Sequence, residues 1–414
     1  MYRWECWRCG RFFTPEEVRY LCPSCPVPSA LSMVPDYEMA GRGSPLVVDD
    51  RSMWRYRALL PLPPAVTPGP LERGYQVGGT ALVDAPRLAE ASGVHRVWVK
   101  DEGRNPTGSL KDRASALVVA AAAGTGRRVV CTASSGNAAA ALAGCCAVAG
   151  VGCVVFVPTG TAPGKIAQLT AYGARVFAVR GGYEAAVDLS YRAAERFGWV
   201  CRSTAYNPLT AEGKKTAALE IAEQLGWRAP TTVVVPTGDG NIVTGLYRGF
   251  TDAVRMGWLD QMPRLVAVQS DRAPALYQAW LSGATKVDPA PAESVADGIN
   301  VAAPQDGFRA LRAVRETGGR VLAVPDTAML ASVQRLARMS GVFAEPSGAA
   351  ALAGLDMLAG RGALGAGDTV VLLSTGNGLK HQPAPDTPDR AVSTIDADVT
   401  AIERIWPAGA SPEG

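Results

Sequence analysis

The chain has 414 residues, 48% of them hydrophobic and 19% charged, an ordinary globular composition with room for two or three domains. Its net charge of +3 is the small difference between 41 basic and 38 acidic side chains, spread without the basic stripe that nucleic-acid binding needs, so a small-molecule substrate is expected. Residues 1–6 carry no apolar leader, no run is long enough to span a membrane, and nine cysteines, several in apolar runs, fit buried thiols better than a disulfide framework, so a cytosolic protein is expected.

Residues 1–30 stand apart. Cys6-Trp-Arg-Cys9 and Cys22-Pro-Ser-Cys25 are two C-x-x-C pairs twelve residues apart, a spacing that can set four thiolates around a tetrahedral Zn²⁺; the alternative is two reduced, metal-free thiol pairs. No histidine or open ligand position accompanies them, so a metal held here is structural and lets a segment too short for its own core fold. Residues 27–80, rich in Pro and Gly with little periodicity, read as extended chain and short helices wrapping a larger body, with one helix at 53–60. A strand near 78–83 then enters that body.

From residue 81 to about 380, apolar β-like runs alternate with amphipathic helical runs, which implies parallel sheet covered on both faces. Strands are expected at 97–100, 128–132, 152–157, 175–179, 232–235, 264–268, 320–323 and 369–373. Several end in small or Gly-rich turns, where open α/β sheets collect ligands. Residues 384–414, with recurring Pro, Asp and Ala, read as a loosely attached tail.

The turn from Asn105 to Lys111 lies between the 97–100 strand and an Ala-rich helical run, which places Lys111 at a helix N-terminus. Partial positive charge there and burial both disfavour an ammonium and push the side chain toward a nucleophilic amine that can form a Schiff base; the alternative is a solvated lysine at a cap. Only seven lysines stand beside 34 arginines, so a lysine in this turn is notable. The two histidines, His95 in a connection and His381 near the Pro-rich tail, leave little for a Ser-His-Asp or Cys-His mechanism. Proton transfer must rest on lysine, on carboxylates or on a cofactor.

Four further turns carry polar residues. Ser134-Ser135-Gly136-Asn137 follows a strand and opens a helix, which makes it a carboxylate site or an ordinary N-cap. Gly238-Asp239-Gly240-Asn241-Ile242 lets backbone N–H groups surround a phosphate, without the acidic strand end of a dinucleotide fingerprint, and Asp239 would have to turn its carboxylate away. Glu345-Pro-Ser-Gly348 caps an Ala-rich helix, and Ser374-Thr375-Gly376 offers a hydroxyl at a strand end. Together these features describe a site for pyridoxal phosphate and an amino acid.

At these residues the chain resembles the tryptophan synthase β-like, fold type II group of pyridoxal-phosphate enzymes, and within it the threonine synthase-like members. The resemblance rests on Lys100-Asp-Glu-Gly-Arg-Asn105-Pro-Thr-Gly-Ser-Leu-Lys111-Asp, Ser135-Gly-Asn137, Gly238-Asp-Gly-Asn241, Ala296-Asp-Gly-Ile299, Glu345-Pro-Ser-Gly and Ser374-Thr-Gly-Asn-Gly-Leu-Lys380, in this order. It implies an α/β fold of open, mostly parallel sheets behind the four-cysteine ribbon at 1–30. A large domain would comprise 31–110 and 215–383, and a smaller mobile domain 111–214. By the same resemblance Lys111 holds the cofactor and serves as acid and base, Asn137 bonds the cofactor O3′, and Gly238, Asp239, Gly240, Asn241 and Ile242 surround its phosphate. Thr375 meets the pyridine nitrogen, and Ser134, Ser135 and Gly136 hold the substrate carboxylate. A hydroxyl at that nitrogen, unlike a carboxylate, leaves the ring a weaker electron sink and favours elimination over transamination. The implied reaction converts O-phosphohomoserine and water to threonine and phosphate, and analogy with relatives implies a homodimer.

Two positions depart from the family pattern. Ala138 stands where a threonine hydroxyl is usual, and Thr210 where many relatives carry an arginine; both groups reach the leaving phosphate in relatives. Loss of one charge-assisted bond to a dianion costs about 1.5–3 kcal/mol. Either Lys165, Lys214 or Lys215 compensates, or the chemistry is β-elimination or β-replacement on serine, phosphoserine or threonine. Outside this class stands a catalytically silent protein that senses an amino acid or pyridoxal phosphate.

Overall fold

The computed structural model describes residues 2–25, 29–41, 46–63 and 65–381; the tail expected over 384–414 lies outside the described residues. Strands β1 (Tyr2–Cys6), β2 (Phe12–Phe13) and β3 (Leu31–Pro35) form an antiparallel sheet in the order β2-β1-β3. Cys6 lies opposite Leu31, so chain just past residue 30 supplies the third strand of the ribbon sheet. The reason is burial: Leu31 and Met33 complete a small core with Trp4 and Val18 that two short strands could not close by themselves.

Ten strands follow: β4 (Leu82–Asp84), β5 (Arg96–Asp101), β6 (Val129–Ala133), β7 (Gly152–Pro158), β8 (Arg175–Val179), β9 (Val200–Cys201), β10 (Thr232–Pro236), β11 (Arg264–Ser270), β12 (Arg320–Val324) and β13 (Thr369–Ser374). They divide into a six-stranded sheet, β12-β11-β10-β13-β5-β4, and a four-stranded sheet, β8-β7-β6-β9. Every pair is parallel except β4 with β5. All eight strands expected from the apolar runs form, each within two residues of its expected limits. β10 shows why: Thr-Val-Val-Val-Pro is buried along its whole length, as a central parallel strand covered on both faces must be. The segment expected as a helix at 53–60 is a 3₁₀ helix, Met53–Leu59, whose first turn Ser52 caps.

Small residues set how closely the helices approach. Helix Lys111–Gly124 is rich in Ala and Val and buried continuously from Asp112 to Ala120. A Cβ at Gly213, in helix Leu209–Lys214, would collide with the Arg113 carbonyl, and one at Gly249, in helix Asn241–Arg255, with that of Lys215. Close backbone approach at these glycines brings Lys214 into hydrogen-bond contact with Asn241. Beneath the turn that leads to Lys111, Arg113 bridges Glu102 and Glu220 at 2.7 and 2.6 Å, and Lys100 joins Glu220 at 2.7 Å, all with side chains at most 5% exposed. Two cations meet two carboxylates, so the cluster is neutral and can stay out of water.

Candidate active site

Turns at the C-terminal ends of both parallel sheets meet around the start of helix Lys111–Gly124. The Asn105–Lys111 turn is held at each end. Asn105 accepts the Gly78 N–H at 2.9 Å and donates to Glu102 at 2.8 Å, while Asp112 accepts the Thr107 N–H and hydroxyl at 2.9 and 2.7 Å. Backbone bonds stitch this turn to its neighbours: Leu110 N–H to the Thr375 carbonyl, Asn377 N–H to Gly108, and Glu345 N–H to Gly376. Thr375 and Glu345 are thus brought beside Lys111 by main-chain pairing.

Lys111 is the first residue of its helix and half-buried. Burial pushes its ammonium down to about 8; nearby Glu345 and Asp239 pull upward, and Arg202 pushes down further. Burial likewise raises the Glu345 carboxyl, although it accepts the Asn137 Nδ2–H at 2.9 Å and faces Lys111. Asn137 opens helix Asn137–Ala149, and just before it Ser134, Ser135 and Gly136 form the turn after β6, with the Gly136 N–H donated to Ser134 Oγ at 3.2 Å. These three residues are partly or fully exposed, so their remaining polar groups are open to a ligand.

The glycine turn after β10 leaves no room for side chains. A Cβ at Gly238 would stand 2.8 Å from Ile299 Cα, and Gly240, at φ +92°, is in the left-handed region and 2.8 Å from Ala310 by the same measure. Helix Asn241–Arg255 begins there, so its first N–H groups point into the turn. Asn241 accepts from Lys214 and donates to Asp306 at 2.7 Å. Asp239 turns one oxygen to the Gln305 N–H at 2.7 Å; the other is buried without a partner, and burial, then Asp306, pushes the carboxyl up to about 6.

Three residues of this neighbourhood, Glu345, Lys214 and Arg202, are not singled out by the sequence motifs alone. Glu345 was visible only as part of a helix-capping motif. Lys214 was one of three lysines weighed as a source of charge, and the structure separates them: Lys215 is buried with Glu212 and Asp252, each at 2.8 Å, Lys165 pairs with Asp297 at the surface, and Lys214 bonds Asn241. Arg202 follows β9 and gave no signal among 34 arginines. Thr210 spends its hydroxyl on the Asn207 carbonyl at 2.8 Å.

The residues present suit pyridoxal phosphate. The glycine turn presents bare backbone where a Cβ would not fit, the Lys111 amine has no hydrogen bond among the described contacts, and at the end of β13 the buried Ser374 hydroxyl lacks a partner next to Thr375. At the ribbon, the sulfurs of Cys6, Cys9, Cys22 and Cys25 lie within 4.8 Å of one another, with Cys6–Cys25 and Cys9–Cys22 both at 3.7 Å. Thiolates ~2.3 Å from a tetrahedral ion stand ~3.8 Å apart, so the donor set fits Zn²⁺. A separate cleft of about 570 Å³ opens at the opposite ends of the large-sheet strands, where Arg264 pairs with Asp368 at 3.1 Å; its lining includes no lysine that could hold an aldehyde cofactor. Among the described residues no helix is long and apolar enough to cross a membrane.

The family model described as pyridoxal-phosphate dependent enzyme matches residues 74–376. Threonine synthase of Methanosarcina acetivorans is 36% identical over 405 residues, covering 97% of this chain and 98% of that protein. Threonine synthase of Methanocaldococcus jannaschii is 33% identical over 407 residues, covering 97% and 98%. Among solved structures, threonine deaminase isoform 2 of Solanum lycopersicum superposes with a TM-score of 0.60 at 21% identity, covering 72% of this chain and 78% of that one.

Proposed function

This chain belongs to the pyridoxal-phosphate dependent enzyme family, and from that membership we propose that it is a carbon-oxygen lyase of the threonine synthase type, turning O-phospho-L-homoserine and water into L-threonine and phosphate. What carries the proposal is the unbonded amine of Lys111 at the meeting point of both sheets, in a chain whose end-to-end relatives are threonine synthases.

Each role belongs to a residue of the convergent turns. Backbone N–H groups from Gly238 to Ile242 take the cofactor phosphate at a helix start. Asn137, itself held by Glu345, and Thr375 orient the ring. Ser134, Ser135 and Gly136 hold the substrate carboxylate, also at a helix start. The bound cofactor supplies an electron sink for negative charge developing at the substrate Cα. Lys111, lowered to about 8, removes the Cα proton and returns protons at later positions, being basic enough to accept one and neutral often enough to do so near pH 8. We also assign Cys6, Cys9, Cys22 and Cys25 to a structural Zn²⁺, and residues 111–214, which hold the four-stranded sheet, to a smaller domain that moves against the larger one.

β-Elimination or β-replacement on serine, phosphoserine or threonine is the second reading, favoured by the engaged hydroxyl of Thr210 and by Ala138. Steady-state assays separate the two. Phosphate and threonine should be released from O-phosphohomoserine; 2-oxobutyrate from threonine without that activity would replace the first reading with the second.

A further inference from the structure

We propose, building on the phosphorylated substrate just named, that Arg202 is a specificity-determining residue that binds the phosphate on the substrate side chain, one helical turn from Lys111.

The guanidinium is buried in an unusual way. Four arginines are buried among the described residues, and Arg113, Arg248 and Arg309 each pair with a carboxylate, namely Glu102, Asp252 and Asp306. Arg202, 1% exposed, pairs with none. Its Nε donates to Ser115 Oγ at 3.2 Å and its Nη1 to Thr204 Oγ1 at 3.0 Å, both neutral, while Nη2 is buried without a partner. A buried guanidinium without a carboxylate is costly, and a planar fork with a donor to spare matches phosphate geometry.

Its position follows from two contacts. Ser115 stands four residues after Lys111 in the same helix, hence on the same face and about 6 Å along the axis. The Arg202 N–H bonds the Cys131 carbonyl at 2.8 Å, which sets it beside β6, the strand whose end carries Ser134 to Gly136. A substrate with its carboxylate at that turn and its Cα at Lys111 can therefore turn a second anion toward Arg202.

Charge balance points the same way. Lys111, Lys214, Lys380 and Arg202 are the cations of this neighbourhood, and the nearby carboxylates without a cationic hydrogen-bond partner are three, Asp112, Asp239 and Glu345, so one positive charge is in excess. Lys214 already bonds Asn241 in the cofactor-phosphate cradle, which leaves Arg202 for the substrate. A serine or threonine hydroxyl would accept one bond from Nη2 but bring no counter-charge, whereas a phosphate would supply both. Thr210 and Ala138, which cannot supply this charge, make Arg202 the more necessary.

The test compares wild-type, R202Q and R202K holoenzymes. On O-phosphohomoserine R202Q should raise KM by about 10- to 100-fold, the loss of one charged hydrogen bond, with a much smaller change in kcat. R202K, which keeps the charge but not the fork, should recover part of the loss. Inorganic phosphate should bind wild-type holoenzyme, measured by calorimetry, and bind R202Q more weakly by a similar factor, while cofactor absorbance is retained. Unchanged KM and unchanged phosphate affinity in R202Q would overturn the assignment, as would loss of cofactor in place of phosphate binding. If R202Q does not fold, R202K decides by the same two measurements. Should wild-type protein release no phosphate from O-phosphohomoserine, the substrate reading fails, and the phosphate affinities of wild type and R202Q still judge Arg202 by themselves.

Discussion

Burial by itself does not single out Lys111, because Lys100, Lys214 and Lys215 are each more deeply buried. What differs is engagement: Lys100 is bound to Glu220, Lys215 to Glu212 and Asp252, and Lys214 to Asn241, whereas no bond to the Lys111 amine occurs among the described contacts. An amine that is lowered and unbonded is free to react. Lys111→Ala should therefore abolish turnover and leave a cofactor that washes out on gel filtration; retained covalent absorbance would place the reactive lysine elsewhere. Only the neutral amine attacks an aldehyde, so the rate at which apo-protein takes up cofactor should climb with pH and level off above about 8, rather than near the ordinary lysine value of 10.5. Glu220 gives the opposite sign. Burial would raise it, yet Arg113 and Lys100 outweigh burial and hold it at about 2. A depressed carboxylate contributes stability that is present above its unfolded value of 4.5 and is lost as pH falls toward 2. Glu220→Gln should cost about 3–5 kcal/mol in urea unfolding at pH 7, from the cations left unpaired, and the gap to wild type should narrow across that acid window.

At the scale of elements, placement depends on glycines that admit neighbouring backbone. Gly249 lies against the Lys215 carbonyl, where helix Asn241–Arg255 crosses the chain that carries Lys214. Gly249→Ala should therefore destabilise the protein by about 1–3 kcal/mol, the usual cost of overpacking, and should weaken cofactor affinity because Asn241 shifts with the helix. Equal cofactor affinity in the two proteins would detach the crossing from the site. Strands were legible from local pattern because a strand buried on both faces is written as a continuous apolar run, as in β10 and β13. β9 was not: two residues, Val200 and Cys201, pair with β6 only because the fold brings them alongside. Leu31–Pro35 also has no strand pattern that its own sequence announces, and becomes one by covering Trp4.

At the scale of the molecule, the cysteine ribbon is joined to the larger body by side chains that also reach the glycine turn proposed to hold the cofactor phosphate. Arg309 donates to the Leu31 carbonyl at 2.9 Å and to Ser32 at 3.1 Å, and it pairs with Asp306, which accepts from Asn241 at the start of helix Asn241–Arg255. Met33 N–H bonds Glu212 at 2.8 Å in the helix that ends at Lys214. On the proposed Zn²⁺ assignment, chelation should lower the melting temperature and also weaken cofactor binding, since a disordered ribbon releases β3 from these contacts. Full cofactor affinity after verified metal removal would show that the ribbon does no more than fold itself.

The sequence by itself determined the strand runs, the two C-x-x-C pairs and the positions of the turns, because each is a local property: apolar period, thiol spacing, and Gly, Pro or hydroxyl residues at strand ends. Tertiary structure alone decided which charges meet. Whether a lysine or arginine is solvated, paired or left without a counter-ion depends on residues far along the chain, such as Arg113 and Lys100 with Glu220, or Arg202 with no carboxylate in hydrogen-bond contact. Desolvation, which sets what those groups can do, exists only once both sheets have closed around them.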